Sequence, residues 1–469
     1  MKHTLILWMT FALPICAAYG QEALTLEQCR QLAIDNNKEL KIAEAQVDRA
    51  AQERRAARTK YFPQLSATGS YMHNSKPLEL VDYSRFEAMT GQLLPQLAPL
   101  LMKYPQLAQS LPQIMEELKS LTHVDMQNVW IGDVSLVQPV FMGGKIVSYN
   151  QITGYARELA ESMHDTKLQD VICRTDETYW QVISLANKKK LADAYVDLLR
   201  KMDTDIAAMI TAGVATKADE LSVKVKLNEA EMAQTKVNNG LALSRMLLAQ
   251  LCGLDMEHPP LLADERIEQF AVQPTATQAN AEEAFSHRPE LKSLELATKI
   301  YRKKEQIALA EMLPTVALTA NYLVTNPNTY HGFKKEFSGM YNVGVLVRMP
   351  LSAWWEGSYK RNAARAETVI KRLETEEARE KVELQVNQSV YKVNEAGKQL
   401  TASTRNMERA EENLRYANVG FEEGVIPALN LMEAQTAWVS ARSQLIDAQI
   451  EVKLTEVYLS KALGRLGKE

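Results

Sequence analysis

Pro314-Thr315-Val316-Ala317-Leu318-Thr319-Ala320-Asn321-Tyr322 follows the pattern of an earlier stretch, Pro63-Gln64-Leu65-Ser66-Ala67-Thr68-Gly69-Ser70-Tyr71. In both, a proline stops a charged, alanine-rich helical tract, because it lacks an N–H and its ring clashes with the preceding turn. In both, an alternating segment follows. Val316, Leu318, Ala320 and Tyr322 share one face of a strand, and Thr315, Ala317, Thr319 and Asn321 share the other.

The correspondence extends in both directions. Upstream, Ala33-Ile34-Asp35-Asn36-Asn37-Lys38-Glu39-Leu40 answers Ala284-Phe285-Ser286-His287-Arg288-Pro289-Glu290-Leu291. Downstream, each half has a connection and a second alternating segment, ending at Pro139 or Pro350. In the last segment Tyr341, Val343, Val345 and Val347 oppose Asn342, Gly344 and Arg348. Two long helical tracts come next. The halves close on Leu251-Cys252-Gly253-Leu254 and Ala462-Leu463-Gly464-Arg465. Recurrence of so many features in one order marks an internal duplication.

The helical tracts are long. No proline interrupts the chain between Pro139 and Pro259. Leu191, Tyr195, Leu198, Met202, Ile206 and Met209 form one apolar stripe; Leu431, Ala434, Trp438, Ala441, Leu445, Ala448 and Val452 form another. Stripes this narrow suit a coiled-coil seam. One helix from Ile146 to Ile210 would run roughly 90 Å at 1.5 Å per residue. The alternating segments, about 10 residues each, match the span of an outer-membrane barrel strand, although an ordinary soluble hairpin alternates too. Four strands cannot close a barrel alone and need partner chains or a packed helix. The fold class expected is mainly α with a small β part.

The first residues read as a signal peptide, 1–20. Lys2 supplies positive charge, Leu5–Cys16 is an apolar core of h-region length, and Ala18-Tyr19-Gly20 places small residues before a cut at Gln21. Ile15 is too large for lipidation at Cys16. The first repeat then covers 21–258, with strands at about 64–73 and 129–139. A linker covers 259–280. The second repeat covers 281–469, with strands at about 315–325 and 340–350. Cys29, Cys173 and Cys252 show no CxxC spacing and are expected as three separate small hydrophobes. A net charge of −4 argues against a nucleic-acid partner. No stretch after the signal is long and apolar enough for a membrane helix, which leaves a barrel as the spanning option.

Catalytic signatures are missing: HExxH, GxSxG and the P-loop do not occur. Gly143-Gly144 reads as a strand-to-helix bend, His164-Asp165 as a surface pair, and Lys188-Lys189-Lys190 as a solvated face. The 19 methionines fall mostly at helical core spacing. No enzyme, cofactor or metal is expected.

The combination resembles the TolC family of outer-membrane efflux and secretion channels. The resemblance rests on the signal, the Arg288-Pro289-Glu290-Leu291 block, the duplicated order, and two blocks at helical turns. These are Ala212-Gly213-Val214-Ala215-Thr216-Lys217-Ala218-Asp219 and Glu423-Gly424-Val425-Ile426-Pro427-Ala428-Leu429-Asn430. It implies a homotrimer in the outer membrane of a Gram-negative cell. Each protomer would lend four transmembrane strands to one twelve-stranded barrel, and the helices would form a periplasmic tunnel. The implied role is the passive exit duct of a tripartite efflux pump or type I secretion system. Its partners would be a periplasmic adaptor, an inner-membrane transporter and outer-membrane lipid. The alternative is a structural or adhesive periplasmic coiled-coil protein.

The resemblance also implies a gate at the helical turns. Gly213, Val214, Gly424 and Val425 fall where an adaptor would dock. Asp219 matches a latch aspartate, whereas Phe421 replaces a usual tyrosine and Ile426 stands where the well-known member has an arginine. Asn430 replaces one ring aspartate, and Glu433 retains the acidity of a second. Phe421 and Ile426 suggest an apolar constriction. Asp219 and Glu433 would form acidic rings in which each pair at roughly 7 Å repels by about 2 kcal/mol at an effective dielectric of ~20. Asp219 also suits a helix cap. The insert Asn74–Asn128, carrying Pro95, Pro99, Pro105 and Pro112, reads either as a short-helical cap over the mouth or as an apolar loop resting on neighbouring protomers.

Overall fold

The computed structural model describes residues 23–75, 78–79, 83–124, 126–266, 280–330, 332 and 334–467. The expected signal peptide, Cys16, and most of the expected linker (267–279) lie outside the described residues. In chain order the elements are α1 (Leu26–Asn36), α2 (Lys38–Thr59), β1 (Gln64–His73), β2 (Leu78–Glu79), α3 (Tyr83–Lys103), α4 (Pro105–Thr122), β3 (His123–Val124), β4 (Asn128–Met142), α5 (Lys145–Thr211) and α6 (Lys217–Cys252). A short 3-10 turn, Ala263–Arg266, precedes α7 (Ala281–His287), α8 (Pro289–Ala310), β5 (Thr315–Asn326), β6 (Ser338–Arg348), α9 (Ala353–Glu422) and α10 (Ala428–Ala462). The chain divides into two compact units.

The first unit, Ala51–Tyr155 with Thr298–Ile370, carries an antiparallel four-stranded sheet in the order β1-β4-β5-β6. Its central pair therefore joins the two halves of the duplication. Pro139 lies inside β4, where the register shifts between Pro139 and Phe141; a bulge tolerates the missing N–H. The insert between β1 and β4 is helical: α3 and α4 contain Pro95, Pro99 and Pro112, and the β2–β3 pair ties its base. Leu93, Leu94, Leu97, Leu100 and Met102 of α3 remain exposed.

The second unit, Ala156–Ala297 and Lys371 onward together with the residues up to Ala50, is helical. Alternate turns of its long helices bury small and branched residues. Ala396, Leu400 and Met407 of α9 pack with Ala441, Leu445, Ala448 and Val452 of α10, with Trp438 at the margin. The α10 stripe is thus the one read from the sequence. On α5 the buried line differs: Val196, Leu199, Met202 and Ile206 are buried, whereas Leu198 is exposed. Val196 and Leu199 pack on Ala230 of α6, while Met202 and Ile206 meet residues of both α6 and α10. A helix with neighbours on two sides buries more than one seam.

The duplication is visible in how each half ends. Gly253 (φ 68°) lies so close to α1 that a Cβ would stand 2.5 Å from the Asn36 Cβ; Gly464 (φ 72°) packs on α7, where a Cβ would stand 2.9 Å from the His287 carbonyl carbon. Only glycine fits both the left-handed backbone and the contact. In the same unit, Arg30 grips the fully buried Asp176 through two hydrogen bonds of 2.7 Å. The lysine run expected as a solvated face ranges from half-buried to exposed, and each lysine has a partner. Lys188 meets Asp447 at 2.6 Å, Lys189 meets Asp193 at 2.9 Å, and Lys190 donates to the Glu265 carbonyl at 2.8 Å. His164 Nδ1 and Asp165 Oδ1 lie 3.6 Å apart.

Candidate functional site

Two places have chemistry that the fold alone does not require. The first is the sheet. Pairing aligns Leu65 with Leu136, Ala67 with Val134, Tyr71 with Trp130, Val134 with Tyr322, and Ala320 with Val343. An apolar face therefore runs across all four strands. It is uncovered: Leu65 is 71% exposed, Tyr341 78% and Val343 74%. The opposite face carries Ser66, Thr68, Asp133, Ser135, Thr319, Asn321 and Asn342, and some of these side chains bond one another. Ser66 and Ser135 hydroxyls lie 2.7 Å apart, and Asn321 donates to Asn342 at 3.0 Å. The Tyr71 and Trp130 rings meet near one end of the apolar face, centroids 4.5 Å apart and planes tilted by 41°. Among the described residues, the outer edges of β1 and β6 have no strand partner.

The second place is the pair of helical turns, which share one cluster. Met202, Ile206 and Val223 from the first half pack with Ala417, Ala428, Leu431, Met432 and Ala434 from the second. Each turn is a left-handed glycine cap, Gly213 at φ 80° and Gly424 at φ 69°. Val214 N–H donates to the Met209 carbonyl at 3.0 Å, and Val425 N–H to that of Gly420 at 2.8 Å. Val214 and Val425 project into solvent, exposed by 69% and 77%.

The two helix starts differ. Thr216 caps α6: its backbone N–H and hydroxyl donate to Asp219 Oδ2 at 2.9 and 2.6 Å, and Asp219 N–H returns a bond to Thr216 Oγ1. This capping box holds the Asp219 carboxyl below the usual carboxylate range, chiefly through the hydroxyl and then through the backbone N–H. Pro427 begins α10 and offers no side-chain bond. Asn430, in the position equivalent to Asp219, and Glu433 one turn on are both exposed. Phe421 and Ile426 are half-buried against the shared cluster.

Sequence reading overlooked Glu220. It is buried between Lys217 and Lys224, the latter at 2.6 Å, and these hydrogen bonds, Lys217 first, hold its carboxyl low. The Lys-x-x-Glu-x-x-x-Lys spacing on one helix face was the available signal. Among the described residues no cluster could hold a metal ion, and no helix is long and apolar enough to cross a membrane.

Comparison with known proteins agrees with this architecture. The profile of the outer membrane efflux protein family matches residues 29–254 and 280–465. Protein CyaE of Bordetella pertussis is 22% identical over 66% of this chain and 65% of its own length. Outer membrane protein TolC of Salmonella enteritidis is 20% identical over 67% of this chain and 65% of its own. The chain thus spans just under two thirds of the length of these relatives. The crystal structure of the Campylobacter jejuni CmeC outer membrane channel superposes with a TM-score of 0.75 at 13% identity, covering 94% of this chain and 85% of the other. With a profile match across both repeats, the chain is an outer-membrane protein belonging to the outer membrane efflux protein family.

Proposed function

We propose that three copies of this chain close a single twelve-stranded barrel whose lumen is the passive exit duct of a tripartite efflux pump or type I secretion system. The observation that carries this reading is the open sheet. Its exposed apolar face suits lipid and its polar face suits a water-filled lumen. Its edges are unpaired, and each unsatisfied backbone group in hydrocarbon costs several kcal/mol. Pairing β6 of one copy with β1 of the next removes every edge. A periplasmic coiled-coil rod has no use for such a sheet. The duct is not an enzyme; energy would come from an inner-membrane transporter joined through a periplasmic adaptor.

In this reading the helices form the periplasmic tunnel and the shared turns form its inner aperture. Gly213, Val214, Gly424 and Val425 offer the adaptor two similar turns with an exposed valine at each. Asp219, Asn430 and Glu433 supply the polar lining. Phe421 and Ile426 pack half-buried against the cluster within each protomer, and their exposed parts would form the apolar constriction. Reconstitution in a planar bilayer tests the reading. A duct gives stepwise, cation-preferring currents from the purified protein; a membrane left sealed at every protein concentration would refute it.

A further inference from the structure

The three described cysteines are all buried, but they are not equivalent. Sequence spacing suggests three separate small hydrophobes, yet Cys29 of α1 and Cys252, the last residue of α6, adjoin within one apolar cluster. Cys252 Sγ donates to the Cys29 carbonyl at 3.5 Å, which brings the end of α6 directly against the cysteine of α1. The backbones that carry them are held in place. Asn37 Nδ2 donates to the Leu251 carbonyl at 3.3 Å, Gly253 packs on Asn36, and Leu24 N–H donates to the Leu261 carbonyl at 2.9 Å. Cys173 stands apart, bonded to Glu177 at 3.4 Å.

We propose that Cys29 and Cys252 form a disulfide in the exported protein, linking the start of the first repeat to its end. The inference rests on the outer-membrane assignment, since a chain that crosses the periplasm folds where disulfides persist. The oxidant is an external disulfide, carried by a thiol oxidoreductase or by cystine. One cysteine thiolate attacks it, forming a mixed disulfide and releasing one thiol. The second cysteine attacks the mixed disulfide and releases the other thiol. Two S–H bonds break and one S–S bond forms; the protein loses two electrons and two protons, and the external disulfide gains them.

The buried site sets the order of events. In the folded chain Cys29 and Cys252 are 0% and 1% exposed, so an external disulfide reaches neither sulfur. The bridge must therefore form before α1 closes onto α6. It joins positions 223 apart in the sequence and so restrains a long stretch of the unfolded chain. Once made, it is shielded from external thiols by the same burial.

The test is differential alkylation of protein purified from the outer-membrane fraction. The chain is denatured without reductant in N-ethylmaleimide, then reduced and labelled with a second alkylating reagent, and the labels are located by peptide mapping. The expected result is Cys173 carrying the first label, with Cys29 and Cys252 carrying only the second. A non-reduced digest should contain their peptides joined, two hydrogens lighter than the pair. Cys29 and Cys252 carrying the first label would overturn the bridge. Absence of the chain from the outer-membrane fraction would instead overturn the localisation. As a second variant, Cys252→Ser should leave Cys29 open to the first label. Dithiothreitol should lower the unfolding midpoint of the wild type and leave that of Cys252→Ser unmoved; equal shifts in both would count against the proposal.

Discussion

Placing a lysine at Val343 tests which face of the sheet meets lipid. Val343 sits in the middle of β6, paired with Ala320, and is 74% exposed on the apolar face. A lysine at the midplane of a barrel's lipid face costs about 2–4 kcal/mol. At 1.4 kcal/mol per tenfold, this is roughly a 30- to 700-fold loss per chain in the ratio of assembled to unassembled protein. Thr68→Lys is the matched control. Thr68 is mid-strand in β1, on the polar face opposite Asp133, so the new cation faces a carboxylate across the pair. The assay is the fraction of heat-resistant oligomer in outer-membrane extracts, read on a native gel across a temperature series. Val343→Lys should lose oligomer at lower temperature, and Thr68→Lys should stay near wild type. Equal losses in both variants would refute the assignment of the faces.

Four further outcomes follow from the helical unit. Arg30→Ala strands the fully buried Asp176 and should cost about 3–5 kcal/mol in urea unfolding, whereas Glu27→Ala, at the exposed end of the same cluster, should cost little. Thr216→Ala should weaken the start of α6 by about 1 kcal/mol. Because the Asp219 carboxyl is depressed in the folded chain, its contribution is present above the unfolded value of about 3.9 and is lost as pH falls through the folded value. Hydrogen exchange at the first turn of α6 should therefore speed up in acid in the wild type, but show no such step in Asp219→Asn. At the inner aperture, Asp219→Asn with Glu433→Gln should abolish the cation preference of the reconstituted channel; unchanged selectivity would remove both residues from the lining.

The strands were legible because an amphipathic sheet imposes period-2 alternation, and Val316 to Tyr322 obeys it. Strand order was not, since β4 and β5 at the centre alternate just as β1 and β6 do at the edges. On α10 one stripe could be read directly, because that stripe meets mainly α9. On α5 the reading missed Val196 and Leu199 because two neighbours compete for the helix. The turn glycines announced themselves, but the burial of Glu220 did not. Charge predicts exposure, and only the two lysines make the buried site tolerable. Cys29 and Cys252 meet across 223 residues, a distance no local spacing rule spans.

The most direct measurement of the central claim is single-particle imaging of the purified protein in a lipid nanodisc. The account predicts a threefold hollow particle in which β6 of each copy pairs with β1 of the next, twelve strands enclosing one lumen. A solid particle, or a single copy whose β1 and β6 edges stay unpaired in the bilayer, would contradict it.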